Sequence, residues 1–211
     1  MDKSSIAVEI FNKRATEYAE KFMDQSLYHD TFDLFCKHLP QGAEMLEIAC
    51  GPGNITKYLL SKRPDLDILA IDLAPKMLDL ASENNPGAEI ILLDGRKINL
   101  LKRKFSGILC GFFLPYLTKE ECLKFIHDAE TLLTPGGVLY LSTMEDSYSK
   151  SGFYTGCYGD KMYMHYHEAN YLEGEIKRCG MTIVKSYRKD YKPDSGLAST
   201  DLVIIAEKKQ N

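Results

Sequence analysis

The sequence is short of several things, and each shortage narrows what the chain is for. No apolar stretch approaches the roughly 20 residues that a membrane-spanning helix needs. The N-terminus is amphipathic and mixed in charge, without the basic end and apolar block of a signal peptide. Basic residues do not cluster: the longest run is Lys102-Arg103-Lys104, and the net charge is −4. Nucleic acid and anionic membrane both call for a basic face, so neither is expected as a partner. The six cysteines (36, 50, 110, 122, 157, 179) are widely spread, with no C-x-x-C pair. That is neither a zinc pattern nor a dense disulfide framework, and a reducing cytoplasm is the expected setting. No internal repeat and no domain boundary is visible.

What remains suits one α/β domain. A chain of 211 residues with 45% apolar content buries one sizeable core and leaves residues for extensions. Helical spacing of Ile6, Ile10, Phe11, Ala15, Tyr18 and Phe22 predicts a helix over 4–23, and a second is expected over 27–39. Met45-Leu46-Glu47-Ile48 then reads as a buried strand that breaks at Gly51-Pro52-Gly53 and resumes as a helix over 54–62. Glycines at such a turn let backbone approach a ligand, and the following helix points free N–H groups at it. Asp72 closes the next apolar run, about 20 residues on, where a ribose hydroxyl would sit.

The alternation continues. Pro75 fits the first turn of a helix, strand 89–93 leads to Asp94-Gly95-Arg96, and Ile108-Leu109-Cys110 forms the next strand. A capping box, Thr118-x-x-Glu121, opens a long helix that Pro135-Gly136-Gly137 is expected to stop before strand 138–143. Five strands alternating with helices give an open, mostly parallel sheet with right-handed crossovers. Gly51, Asp72, Asp94, Cys110 and Thr143 all fall at carboxyl ends of strands, where such sheets bind ligands, so one rim should hold them.

The last third differs. Six of the thirteen tyrosines fall between 148 and 171. From Lys161 to His167, Met162, Met164 and Tyr166 face one way and Tyr163, His165 and His167 the other. A helix over 168–179 ends at Gly180, and strands 181–188 and 201–206 form an antiparallel hairpin around a Pro/Ser/Gly loop at 192–199.

Glu47-x-Ala49-x-Gly51-x-Gly53, followed by Asp72, Asp94-Gly95 and Leu133-Thr134-Pro135-Gly136-Gly137, resembles the class I S-adenosylmethionine-dependent methyltransferases. The resemblance is closest to their small-molecule branch, which carries a helical N-terminal lid. It implies a Rossmann-like α/β fold of about seven strands, mostly parallel with an antiparallel C-terminal hairpin and helices on both faces. Residues 1–211 would form a single domain: lid 1–40, cofactor-binding core 41–143, and substrate-side segment with hairpin 144–211. The implied cofactor is S-adenosylmethionine, leaving as S-adenosylhomocysteine, and the implied partner a small-molecule methyl acceptor.

The same resemblance assigns site residues. Glu47 and the backbone at Ala49, Gly51 and Gly53 would hold the methionine end. Asp72 would accept from the ribose, with Leu73 and Met77 flanking the adenine. Asp94 would take the adenine amino group, Gly95 and Arg96 would face ring nitrogens, and Cys110 would lie near the sulfonium. Tyr18 would close over the cofactor. Ala49 replaces a usual glycine, which is tolerated if φ there is negative.

No single residue is obligatory for methyl transfer, since the leaving group is a neutral thioether. His165, His167 and Tyr163 are candidates for a general base or substrate hydrogen bond, weighed against ordinary strand packing. Two histidines at i, i+2 do not make a metal site. Leu114-Pro115-Tyr116 reads as a loop with a lining tyrosine. A nicotinamide-dependent oxidoreductase shares the glycine turn and Asp72, but wants Gly or Ala where Thr56 stands and does not explain the final hairpin. A binding protein that has kept the pocket without catalysis is the other alternative.

Overall fold

The computed structural model describes residues 3–156, 158–192 and 198–210. Cys157 and residues 193–197 of the expected Pro/Ser/Gly loop lie outside the described residues. The helices are α1 (Lys3–Lys13), α2 (Ala15–Phe22), α3 (His29–Lys37), α4 (Asn54–Lys62), α5 (Pro75–Asn84), α6 (Lys119–Leu132) and α7 (Ala169–Arg178). The strands are β1 (Glu44–Ile48), β2 (Asp67–Asp72), β3 (Glu89–Leu92), β4 (Phe105–Cys110), β5 (Leu133–Glu145), β6 (Gly152–Thr155), β7 (Lys161–Met164), β8 (Met181–Tyr191) and β9 (Ser199–Lys208).

Seven strands form one sheet in the order β3-β2-β1-β4-β5-β9-β8. The first five run parallel, and β9 lies antiparallel between β5 and β8. Side chains alternate across it, so each central strand feeds two apolar layers. Leu46, Ile48, Ile108, Leu139, Leu141 and Ile204 pack in a cluster with Phe125 and Ile126 of α6 and Leu172 of α7. Met45, Ile68, Ala70, Leu109, Tyr140 and Ile205 pack in the other, with Phe32 and Phe35 of α3 and Leu59 of α4. Helices thus cover both faces.

Buried polar groups tie the ends of the chain together. Tyr28 donates to the Asp201 carboxylate at 2.6 Å, and Asp201 also accepts from Ser199 at 2.8 Å. Thr31, which donates to the Tyr28 carbonyl at 2.7 Å, sits 3.0 Å from the Tyr140 hydroxyl. This network joins the segment entering α3 to β5 and β9, and satisfies groups whose burial would otherwise be unfavourable.

Two expectations are corrected. The helix expected over 4–23 breaks at Arg14 into α1 and α2. Pro135-Gly136-Gly137 does not stop α6, which ends at Leu132. The triplet lies within β5, which begins at Leu133 opposite Phe105 and shifts register before Val138 meets Gly107. A proline sits without loss in such an irregularity, where no ladder hydrogen bond is needed. The Thr118–Glu121 capping box is formed in both directions, and Gly180 follows α7 with φ +82°.

The tyrosine-rich segment holds the separate antiparallel pair β6–β7. Lys13 and Arg14 reach Asp160 beside it at 2.9 and 2.8 Å, and the Lys3 ammonium lies 3.5 Å above the Tyr163 ring. The N-terminal helices are therefore latched onto this hairpin and lie over the rim of the sheet. No helix among the described residues is long and apolar enough to cross a membrane.

Candidate functional site

The turn after β1 carries three left-handed residues: Ala49 (φ +53°), Gly51 (φ +54°) and Gly53 (φ +76°). Ala49 was expected to be harmless at negative φ, and it is instead held where its Cβ crowds the following carbonyl. That conformation costs an L residue about 1 kcal/mol relative to glycine. The strain is sustained by the hydrogen bonds around it: Cys50 N–H donates to the Ile71 carbonyl and Gly53 N–H to the Cys50 carbonyl, both at 3.0 Å. The Asp72 carboxylate bridges two turns, accepting from Gly51 N–H at 2.9 Å and Ala74 N–H at 2.8 Å. Burial raises its pKa despite these bonds.

A cavity of about 820 Å³, open mouth included, lies at this rim. Of the expected cofactor residues, Tyr18, Ala49, Gly51, Asp72, Leu73, Met77, Asp94, Gly95 and Arg96 line it. A Cβ built on Gly51 meets nothing nearer than the Tyr18 ring at 3.8 Å, so the backbone there faces open space. The walls that sequence reasoning did not name come from α1 (Ser4, Ala7, Val8, Phe11) and from Leu93, Gly111, Phe112, Phe113 and Leu117. Phe11 carried a signal, as it shares the helical spacing of Ile6, Ile10, Ala15, Tyr18 and Phe22. Phe112 carried none, being a left-handed residue (φ +55°) whose N–H donates to Ser142 at 3.0 Å.

Glu47, Gly53 and Cys110 stand behind the wall rather than on it. Strand alternation turns Glu47 toward α4, where it is buried and accepts the Thr56 hydroxyl. Burial pushes its pKa up to about 8, against the pull of that hydrogen bond. Thr56 is thus the partner of Glu47, a role that Gly or Ala at that position lacks. Gly53 is needed for packing, because a Cβ there would meet the Asn85 amide at 2.2 Å. Cys110 joins the apolar layer with Cys122 and Ile126 under α6.

On the far side, the Asp94 carboxylate accepts from Arg96 N–H at 2.9 Å and pairs with the Arg96 guanidinium at 2.8 Å. Burial raises the Asp94 pKa, but the Arg96 contacts outweigh it and leave the group below the usual range. Arg96 also donates to Ser4 at 2.8 Å, which fastens the start of α1 to this rim.

A second cavity, about 1190 Å³ with its mouth, adjoins the first. The two share Phe11, Tyr18 and Tyr116. Phe11 stands edge-on to both tyrosines, with centroids 5.5 and 5.3 Å away, and forms the partition. Met144, Tyr154, Tyr158, Met162, Met164 and Tyr191 form much of the remaining wall, with Arg14, Glu17, Lys21 and Asp160 also lining it.

The three catalytic candidates line neither cavity. Tyr163 alternates with Met162 and Met164 along β7, while His165 and His167 lie just beyond the strand's end. His167 is fully buried, its Nε2 2.8 Å from the Leu114 carbonyl and its Nδ1 against the Tyr171 hydroxyl. That pairing fixes Nε2 as the donor, and burial pushes the pKa down to about 4. His165 packs between Tyr148 and Tyr163 at 5.6 and 4.8 Å, with its buried Nδ1 unpartnered. These rings support the hairpin and, through Tyr163, the start of α1.

Residues 45–137 match the family model described as a methyltransferase domain. The chain is 26% identical to a carboxy-S-adenosyl-L-methionine synthase of Citrifermentans bemidjiense over 52% of its own length and 48% of the relative's. It thus spans about half the length of that curated relative. Among solved structures it resembles the DhpI–SAH complex, with TM-score 0.75 and 16% identity, covering 100% of this chain and 98% of that one. It also resembles magnesium protoporphyrin IX methyltransferase from Synechocystis PCC 6803 with bound SAM, with TM-score 0.73 and 14% identity over 99% and 98% of the two chains. Sheet order and likeness agree on the class I S-adenosylmethionine-dependent methyltransferase fold.

Proposed function

We infer that this methyltransferase-domain chain transfers a methyl group from S-adenosylmethionine to an O, N or C nucleophile of a small molecule. One observation carries the reading: the rim cavity of Gly51, Asp72 and Asp94 adjoins a second, apolar cavity across the Phe11–Tyr18–Tyr116 partition. The residues fit the cofactor. Gly51 offers bare backbone to open space, and Asp72 spends two of about four acceptor positions on N–H groups, leaving the rest for ribose hydroxyls.

In this reading Ala49 and Gly51 hold the methionine end, with Glu47 and Gly53 shaping the turn from behind. Leu73 and Met77 flank the adenine. Asp94 accepts its amino group while sharing its carboxylate with Arg96, and the Gly95 and Arg96 backbone faces ring nitrogens. Tyr18 closes over the cofactor, and Gly111 and Phe112 stand where Cys110 was expected. When bound, S-adenosylmethionine supplies a methyl carbon on a sulfonium that leaves as a neutral thioether. The chain's own task is to align the nucleophile about 3 Å from that carbon and to exclude water, which α1 and α2 do from above. We place this activity in a reducing cytoplasm, a reading supported by the free thiols of the five described cysteines.

Calorimetry with S-adenosylmethionine and with NAD tests the cofactor assignment, and labelled methyl transfer into a metabolite extract tests turnover. Binding of the first and not the second is expected. Tight NAD binding without a response to S-adenosylmethionine would overturn the reading.

A further inference from the structure

We propose that the second cavity accepts a weakly basic hydrophobic nitrogen, an aromatic ring nitrogen, and releases it as an N-methyl cation. The proposal rests on the methyl-transfer reading above and specifies its acceptor. It follows from the charges around the cavity.

Among the described lining residues, the ionisable side chains are Arg14, Lys21, Glu17, Asp160 and tyrosines. The formal charges of the first four cancel. Arg14 is engaged by Glu17 at 3.0 Å and by Asp160 at 2.8 Å, and Asp160 also holds Lys13 at 2.9 Å. Both carboxylates titrate below their ordinary range: Asp160 through Lys13 and Arg14, Glu17 through its own backbone N–H and Arg14. They make poor proton acceptors. Burial pushes the Tyr18 phenol up to about 12 and the Tyr116 phenol higher still, so neither supplies a phenolate near neutrality. The histidines of the segment line neither cavity.

Each acceptor class makes a different demand on such a cavity. A hydroxyl must lose a proton, and a base is needed to take it. A carboxylate or thiolate brings an anion into a mostly apolar space, where the Arg14 guanidinium is shared by Glu17 and Asp160 and Lys21 is the other lining cation, at a desolvation penalty. A neutral nitrogen makes neither demand. Its lone pair forms the N–C bond as the C–S bond breaks and that bond's electron pair stays on sulfur. One positive charge moves from sulfur to nitrogen, and no proton leaves. The cation forms beside Phe11 and Tyr116, in a cavity walled further by Tyr154 and Tyr191, aromatic rings of the kind that attract cations, while the Tyr158 ring already has the Arg14 guanidinium over it at 5.3 Å. The thioethers of Met144, Met162 and Met164 adapt to its apolar body.

Four bicyclic probes of similar shape separate these classes: isoquinoline, 2-naphthol, 2-naphthalenethiol and 2-naphthoate. With the full chain and labelled S-adenosylmethionine, isoquinoline should be methylated at least tenfold faster than the others. Its rate should rise with pH through isoquinoline's own deprotonation and then stay level. A cofactor-free readout accompanies it: by calorimetry, 2-methylisoquinolinium should bind at least tenfold more tightly than 2-naphthoate. Tyr116→Leu should remove that preference and Tyr116→Phe restore it, because the ring face matters rather than the hydroxyl. Tyr191→Leu, at a partly exposed ring near the end of β8, guards against misfolding at position 116 and should weaken cation binding about threefold. Faster methylation of the oxygen, sulfur or carboxylate probe, or tighter binding of the naphthoate, overturns the proposal. So does methylation of none of the four by protein that binds the cofactor. Failure to bind S-adenosylmethionine sinks the methyl-transfer reading instead, while the cofactor-free comparison still decides which charge the cavity prefers.

Discussion

The two cavities share three side chains, yet they are built by opposite means. The first is made largely of strand ends and backbone: the left-handed turn at Ala49–Gly53, and Asp72 and Asp94 fixed by N–H groups. The second is made of side chains, from α1, α2, β5 and the β6–β7 region, held by ion pairs and ring contacts. Backbone at a sheet rim is specified by the whole core beneath it and tolerates little change. A side-chain wall on a latched hairpin can be rebuilt residue by residue. On the proposed reading, one fold can therefore keep its first cavity and exchange the occupant of its second.

The two halves should fail at opposite ends of the pH scale, and the largest predicted effect comes from this. Glu47, near the glycine turn, has its folded pKa raised to about 8. Its stabilisation is fully present below the unfolded glutamate pKa and is lost as pH rises through 8. Glu47→Gln keeps an acceptor for Thr56 and should be more stable than the parent by roughly 3–5 kcal/mol at pH 8, with the gain gone near pH 4.5. Denaturant melts at the two pH values measure it. An equal gain at both would break the comparison.

His167, in the hairpin half, has the reverse sign. Its folded pKa is depressed to about 4, so its contribution is present above the unfolded histidine pKa and lost as pH falls through 4. Roughly 3 kcal/mol is at stake. Limited proteolysis within 148–167 should accelerate between pH 6.5 and 4 while the glycine turn stays protected.

Asp72→Asn comes next. Loss of a charged acceptor should weaken S-adenosylmethionine binding by about 10- to 100-fold. The same change should leave 2-methylisoquinolinium binding in the other cavity within twofold, both measured by calorimetry. Ala49→Gly relieves the left-handed strain and should stabilise the fold by about 1 kcal/mol, raising Tm by about 2–4 °C. Smallest is Arg14→Met, which frees Asp160 from one of its two cations. Amide protection in α1 should fall a few-fold, and less in high salt, because a partly exposed pair is screened.

How much of this was legible in the sequence follows the same division. The parallel core, the rim acids and the capping box announced themselves, because apolar periodicity and turn chemistry are local signals. The sign of φ at Ala49 was not legible, since it is imposed by hydrogen bonds to β2 and by α5 packing against Gly53. The retreat of Glu47 and Cys110 from the cavity depended on which face of the sheet each occupies. His165 and His167 drew notice by residue type, yet they follow the end of β7 and pack on the supporting side, while Met162 and Met164 within it line the cavity. The alternation itself was visible; which side held the cavity was not, because α1 and α2 decide it from the other end of the chain.

The position of β9 has a consequence for synthesis. This strand is the last of those described and lies second from the edge in space, paired along β5 from Val138 to Glu145. While a ribosome is still making residues 199–208, Leu139 and Leu141 of β5 lie on an unpaired edge and Tyr28 has no Asp201 to meet. A nascent chain with the glycine turn already formed would still be sticky and incomplete. The glycine-turn half can take shape early, but the sheet closes only when those ten residues emerge, and with them the anchor of α3.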